Sequence, residues 1–430
     1  MKTSQLDTAR HRWRGASSLA ITLATTLATI LATTLTSVVA AGAQTAPPRQ
    51  TEADAYTRYE LLAPGSAKFR IVYDVTATTT GATYYFNPIR AGSIATDEHV
   101  NDRATGKSLV FDVVGAAVAR AGGVRVSDSS QQYIRVTLAR PVPANGGEAR
   151  VLIDKTYEDP KSYFTDGTTL VFNRPLGIKR NAVVLPKGYE LESCNYPSQI
   201  LQESDGRITI SFWNGTPAEA PLVLRARPVA SLATSTGVAR SSMQARLDER
   251  AKQSREIVYF LQQPETHAFD LYHDYTESRA GTDHYINVVR AGSRVSNPSA
   301  RNLDTGESLR LDVLKGAAIT AAKLDVGESV TPNTEIVVFR FAPVASGATT
   351  RLRMSETYTD SARYRVTGNE LVWDRGFGRP ANAVVLPLGW MLTNSAMPAT
   401  VSTMPDGRVR LDFINPRPDD LAVLITARRR

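Results

Sequence analysis

FRIVYDVTATTTGATYYFNPIRAGS, residues 69–93, returns 200 positions later as FDLYHDYTESRAGTDHYINVVRAGS, residues 269–293. Ten of these 25 positions are identical, without a gap. The match resumes at Thr105-Gly106-Lys107-Ser108-Leu109 against Thr305-Gly306-Glu307-Ser308-Leu309 and, after one inserted residue, at Thr156-Tyr157 against Thr357-Tyr358. Its clearest block is Asn181-Ala182-Val183-Val184-Leu185-Pro186, matched by Asn382-Ala383-Val384-Val385-Leu386-Pro387. Asp205-Gly206-Arg207 then matches Asp406-Gly407-Arg408, and the copies end alike on LVLRAR (222–227) and VLITAR (423–428). Colinearity over about 170 residues marks one domain present twice in tandem. The shared residues are mainly turn formers and apolar residues, which a common fold requires and common chemistry does not.

Within each copy the runs are short and rich in Val, Ile, Tyr, Phe and Thr. RITISFW (207–213) and QYIRVTLA (132–139) alternate apolar with polar residues, the pattern of a strand with one face in a core. Asp166-Gly167 and Asp205-Gly206 separate such runs and suit tight turns, because glycine takes positive φ without steric cost. Many short strands without alternating helices predict an all-β protein: two tandem, homologous antiparallel β-sandwich domains joined by a short helical linker. The first sandwich is expected over 56–228 and the second over 257–430. GAAVARA (115–121) is the one helical candidate inside a copy. Between the copies, 229–256 begins with small residues and continues into a stretch with Met243, Leu247 and Ala251 at helical spacing.

The N-terminal segment carries Lys2, Arg10, Arg12 and Arg14, then an uncharged run over 18–41 that ends in Ala41-Gly42-Ala43. That order is a secretory signal peptide over 1–43, followed by a flexible lead-in over 44–55. The expectation is export to the periplasm or medium, with an uncleaved N-terminal membrane anchor as the alternative. No other run is long and apolar enough to span a bilayer. The 430 residues carry a formal charge of +8, partly from this segment, and no basic stripe with interleaved aromatics, so nucleic acid is not an expected partner. The single cysteine, Cys194, excludes a disulfide framework within one chain; Ser395 holds its place in the second copy.

The segment order RPVPANGGEARVLIDKTYED, LVFNRPLGIKRNAVVLPKGYELES, SDGRITISFWNGTPAEAPLVLRARP resembles the non-catalytic β-sandwich domain that precedes the catalytic domain of M1-type zinc aminopeptidases. The resemblance covers most of each copy and implies the sandwich fold. The chain departs from the family where activity is concerned. It has no catalytic domain and no H-E-x-x-H, so no zinc or substrate residue carries over.

A metal-assisted hydrolase needs about three nitrogen or oxygen ligands. His267, His273 and His284 fall in the second copy, and His273 and His284 are expected on neighbouring strands of a hairpin. These two are the alternative metal ligands and, with Tyr84, the candidate binding residues. Alternation places Asp274 opposite His273. The equivalent first-copy residues, Ala67, Tyr73 and Tyr84, cannot make such a site. Asp74, Asp112, Asp154 and Asp159 are acids that a glycosidase pair could draw on. Tyr84 is expected to point outward, as a sugar-stacking ring would, with Tyr85 in the core; Trp213, Trp373 and Trp390 read as core. No catalytic residue and no cofactor is expected. The leading functional expectation is an exported non-catalytic binding or scaffold protein for a protein or envelope partner; a metal-assisted secreted hydrolase and a carbohydrate-binding module are the alternatives. Ligand and oligomeric state are left open.

Overall fold

The strand-forming runs become strands in the computed structural model, which describes residues 47–229, 249–417 and 419–430. The first half opens with β1 (Glu52–Leu61), β2 (Lys68–Ala77), β3 (Tyr84–Pro88), β4 (Ile94–Asp102), β5 (Phe111–Gly115) and the helix α1 (Ala116–Ala121). It continues through β6 (Gln132–Thr137), β7 (Ala149–Glu158), β8 (Tyr163–Asp166), β9 (Thr169–Leu176) and β10 (Arg180–Val184). It closes with β11 (Tyr189–Cys194), β12 (Gln199–Gln202), β13 (Ile208–Trp213) and β14 (Ala220–Pro228). The second half repeats the series in order: β15 (Arg255–Leu261), β16 (Ala268–Glu277), β17 (His284–Val288), β18 (Arg294–Asn302), β19 (Arg310–Lys315) and α2 (Ala317–Ala321). Then come β20 (Glu335–Arg340), β21 (Thr350–Thr359), β22 (Tyr364–Thr367), β23 (Glu370–Phe377) and β24 (Ala381–Val385). The last four are β25 (Trp390–Ser395), β26 (Thr400–Thr403), β27 (Val409–Ile414) and β28 (Leu421–Arg429).

Each half folds into three sheets. In the first, the seven-stranded sheet runs β12-β13-β10-β1-β2-β7-β4, the four-stranded sheet β11-β14-β9-β8 and the three-stranded sheet β3-β6-β5; the second half has the same orders. Alternation on β2 sends Phe69, Ile71 and Tyr73 inward, where they meet Phe172 and Leu224 of the four-stranded sheet and Tyr85 and Ile134 of the three-stranded one. Trp373 fills the second core, its ring edge-on to Phe269 at 4.7 Å, where Phe172 meets Phe69 at 5.5 Å in the first. A short helix closes the far face of each three-stranded sheet, over Phe86 and Tyr133 in one half and Ile336 and Val338 in the other. The Asn181–Leu185 run is buried mid-sheet, as its apolar sequence requires.

The all-β reading holds, with three corrections of detail. The seven-stranded sheets are not wholly antiparallel: β1 lies parallel to β10, and β15 parallel to β24. A parallel neighbour arrives by a long crossover, here from the far end of the half, and local turn signals do not report it. Second, β2 and β3 do not form a hairpin; the turn at Thr80-Gly81 carries the chain from one sheet to another, and β16 and β17 part in the same way. Third, the first strand enters at Glu52, inside the expected lead-in, and the second half's first strand at Arg255, inside the expected linker. The expected export segment over 1–43, and Met243 and Leu247 of the expected linker helix, lie outside the described residues; of that stretch, Arg250–Lys252 forms a turn.

The halves meet through equivalent parts. The turn after β4 packs on the turn before β21, where Thr349 N donates to Ala104 O at 3.2 Å; reciprocally, Glu148 N donates to Leu303 O at 2.9 Å. Asp54 and Ser254, which occupy the same place in the two copies, hydrogen-bond to each other across the join. Such reciprocal contacts are the pattern of a two-fold interface. Arg150 reaches from β7 into the other half, donating to both oxygens of Asp304 at 2.7 and 2.9 Å and to Thr349 O at 3.0 Å. Its counterpart Arg351 pairs with Asp54 at 3.0 Å. All of this lies within one compact unit.

Candidate functional site

Inside the second half, His273 of β16, Glu356 of β21, Arg375 of β23, Tyr285 and Asn287 of β17, and Arg379 line a cavity of about 80 Å³. Alternation explains how they converge. His273 lies opposite Met354, and Glu356 opposite Leu271, so all four face the interior from adjacent strands. Tyr285 and Asn287 face them from the three-stranded sheet.

The polar atoms here are incompletely paired. Asn287 Nδ2 donates to Glu356 Oε2 at 2.7 Å, which leaves Glu356 Oε1 buried without a hydrogen-bond partner. Tyr285 OH lies 3.5 Å from His273 Nδ1 and accepts from Arg379 Nη2 at 3.3 Å, while His273 Nε2 has no partner. Arg375 Nη1 makes no hydrogen bond and stands 3.8 Å from the Asp360 carboxylate. Burial raises the Glu356 carboxyl to about 7, opposed by the Asn287 hydrogen bond. Burial first, then the guanidiniums of Arg379, Arg255 and Arg351, hold the His273 imidazole well below its usual range, so it is neutral.

The equivalent place in the first half is filled by residues that satisfy one another. Lys155 replaces Glu356 and donates to Asn87 Oδ1 at 2.6 Å. Tyr73 replaces His273; its hydroxyl lies 3.4 Å from that of Tyr85, which in turn donates to the Glu52 carboxylate. Arg174 replaces Arg375 and reaches Asp159 at 2.9 Å and Ser162 Oγ at 3.2 Å. Ile178 replaces Arg379. Tyr85 and Asn87 are buried, whereas Tyr285 and Asn287 are only half-buried. None of these first-half side chains has a buried polar atom without a partner; Thr57 Oγ1, in the place of the cavity-lining Ile257, is unpaired.

A second concavity, of about 1250 Å³, lies between the halves. Its floor is the outer face of the first half's large sheet, with Arg58, Val72, Asp74 and Leu152; its far wall is Tyr275–Arg279. Most of its charges are already paired: Arg58 with Glu203 at 2.6 Å, and Glu277 with Arg279 at 2.7 Å.

The residues expected from sequence do not assemble as a group. His273 belongs to the cavity. His284 does not: it sits in the other sheet, outward, 2.6 Å from its neighbour Asp283, so the two histidines are not cross-strand partners as expected. His267 adopts a left-handed turn and bonds Tyr364 O at 2.9 Å. Among the described residues no group of three or more His, Cys, Asp or Glu could hold a metal ion. Tyr84 does point outward, but Arg135 lies over its ring at 5.3 Å. Asp74, Asp112, Asp154 and Asp159 are each paired with an arginine. Glu356, Arg375 and Arg379 escaped the sequence reading. The signal was present: Glu356 stands between the inward Met354 and Tyr358, a charge on a core-facing register.

No protein-family model matches the chain, and no curated protein matches it. Among solved structures, an M1 zinc metallopeptidase from Deinococcus radiodurans is similar at 12% identity and a TM-score of 0.28, over 42% of each chain. An aminopeptidase N family protein from Idiomarina loihiensis is similar at 10% identity and 0.25, over 40% of this chain and 29% of its own. The chain spans less than half of either.

Proposed function

We propose that this chain is an exported, non-catalytic binding protein of the cell envelope or extracellular space, in which the first half is scaffold and the second half holds the ligand. One contrast carries the reading: the same interior position is self-satisfied in the first half and left with unpaired, buried polar atoms in the second. Buried polar groups without partners cost free energy, and a ligand-binding cavity is one setting that compensates for them. Export rests on the order of charges, apolar run and small residues over 1–43. The cleft between the halves offers surface to a protein or envelope partner.

The test is a thermal-shift panel of amino acids, short peptides, sugars and small acids on the full chain and on a variant carrying His273→Tyr, Glu356→Lys and Arg379→Ile. These substitutions install the first half's residues. At least one ligand class is expected to raise the melting temperature of the parent and not of the variant; ligands that shift both alike would overturn the reading. N-terminal sequencing of the exported protein is expected to begin at Gln44, and a start at Met1 would show an anchored chain.

A further inference from the structure

The cavity's hydrogen-bond inventory specifies what it lacks. Arg379 donates to the Tyr285 hydroxyl, so that hydroxyl is free to donate onward to His273 Nδ1. With the hydroxyl donating there, the neutral imidazole carries its proton on Nε2, which has no hydrogen-bond partner. Glu356 already accepts through Oε2, and in its neutral form Oε1 carries the other orphan proton. Arg379 forms no ion pair among the described residues, whereas Arg375 is balanced by Asp360. An imidazole nitrogen and a carboxyl oxygen, both buried and unpartnered, and a guanidinium outside any ion pair among the described residues therefore line one cavity. The first half shows what fills such a gap: the Glu52 carboxylate comes in from β1 and accepts from Tyr85, the counterpart of Tyr285. In the second half Lys252 holds the corresponding place in sequence and lies in the inter-half turn.

We infer that the second half's cavity is a binding site for a small planar carboxylate, taken between Arg379, His273 and Glu356. The inference deepens the binding reading above and rests on it. A volume of about 80 Å³ holds several waters, each needing about 10–15 Å³, or a carboxylate of a few atoms. A carboxylate suits Glu356 because two carboxyl groups can share one proton, while two ionised ones in one buried site cannot coexist. Binding then traps a proton on Glu356. The charged and titratable groups lining the cavity with it are Tyr259, His273, Tyr285, Tyr358, Arg375 and Arg379, each from a different strand or loop of the surrounding sheets.

The experiment is isothermal titration of the full chain near pH 7 with formate, acetate and propionate, in two buffers of different ionisation enthalpy, with chloride, nitrate and phosphate alongside. One carboxylate per chain is expected to bind with proton uptake. Arg379→Ile and Glu356→Gln are each expected to weaken it roughly tenfold or more, and Glu356→Gln to abolish the proton uptake. Equal binding of nitrate or phosphate, or carboxylate binding unchanged by Glu356→Gln, would overturn the assignment. No anion binding, with a different ligand protected by the cavity residues in the thermal panel, would remove the carboxylate and leave the binding reading in place. Silence in both assays, with only water in the cavity, would end both. Glu356→Gln keeps size and shape, so the answer does not depend on the triple variant folding.

Discussion

Lys155 in the first half and Glu356 in the second occupy the same slot on equivalent strands, point the same way and are both buried. Each is met by an equivalent asparagine, but with opposite ends of the amide: Asn87 Oδ1 accepts from the lysine, and Asn287 Nδ2 donates to the glutamate. Burial pushes the lysine down to about 7 and the glutamate up to about 7. A sandwich interior thus admits either charge type, provided a partner with both donor and acceptor is at hand and the group approaches neutrality. The fold fixes the slot; the surrounding residues decide whether it is closed, as around Lys155, or left open, as around Glu356.

The contrast is meaningful only if the halves act within one molecule, and the largest effect should come from breaking their join. Asp304→Ala takes the carboxylate from the buried Arg150, leaving it one hydrogen bond, to the Thr349 carbonyl, and also removes the acceptor of Arg351 N. Loss of one partner from a buried ion pair costs about 3–5 kcal/mol. Calorimetry should show a lower melt that resolves into two transitions, one per half. A single transition at the parental temperature would mean that Arg150–Asp304 does not couple them.

Much of this architecture can be read in the sequence, because duplication, strand periodicity and turn glycines are local signals. Phe69, Trp373 and the apolar run Ala182–Leu185 fall in the cores as their patterns require. What could not be read is non-local: the parallel entry of β10 beside β1, and the departure of β3 from β2, both set by how three sheets close on one another. His273 was visible as a candidate from residue type alone. Its companions were visible only by asking which inward positions change character between the copies, and even then an open cavity depends on packing. Cys194, half-buried with its thiol 3.2 Å from Tyr196 O, takes no part in either concavity.

The two buried ionisable groups should bend the stability curve in opposite directions. Lys155 keeps its proton to about pH 10.5 when unfolded but only to about 7 when folded, so the unfolded state binds more protons between those values and stability rises with pH. From pH 7 to 9 that amounts to about 2–3 kcal/mol at most, and Lys155→Met should flatten it in urea melts. Glu356 works the other way. Between pH 4.5 and 7 the folded state retains a proton that the unfolded state releases, so stability falls as pH rises. Over pH 5–7 this is about 2 kcal/mol. Glu148, at the join, is also raised to about 7 by burial, so the parental slope is shared. The difference between parent and Glu356→Gln isolates the cavity's part. Identical slopes would place Glu356 in a wetter site than its burial indicates.

The smallest effect tests the quasi-two-fold join itself. Gly106 and Gly306 occupy equivalent turns, with φ of +71° and +78°, so alanine at either is strained by about 1–2 kcal/mol. Their surroundings differ. A Cβ at 106 would stand 3.1 Å from the Gly347 carbonyl oxygen of the other half, a backbone atom that cannot turn aside, whereas at 306 it would meet the Pro143 side chain at 3.4 Å. The strain cancels in the comparison, and what is left reports the contact. Gly106→Ala should therefore cost several tenths of a kcal/mol more than Gly306→Ala, as an order-of-magnitude expectation for a close backbone approach. Equal losses would mean that the turns stand farther apart in solution and that the buried ion pairs alone hold the halves together.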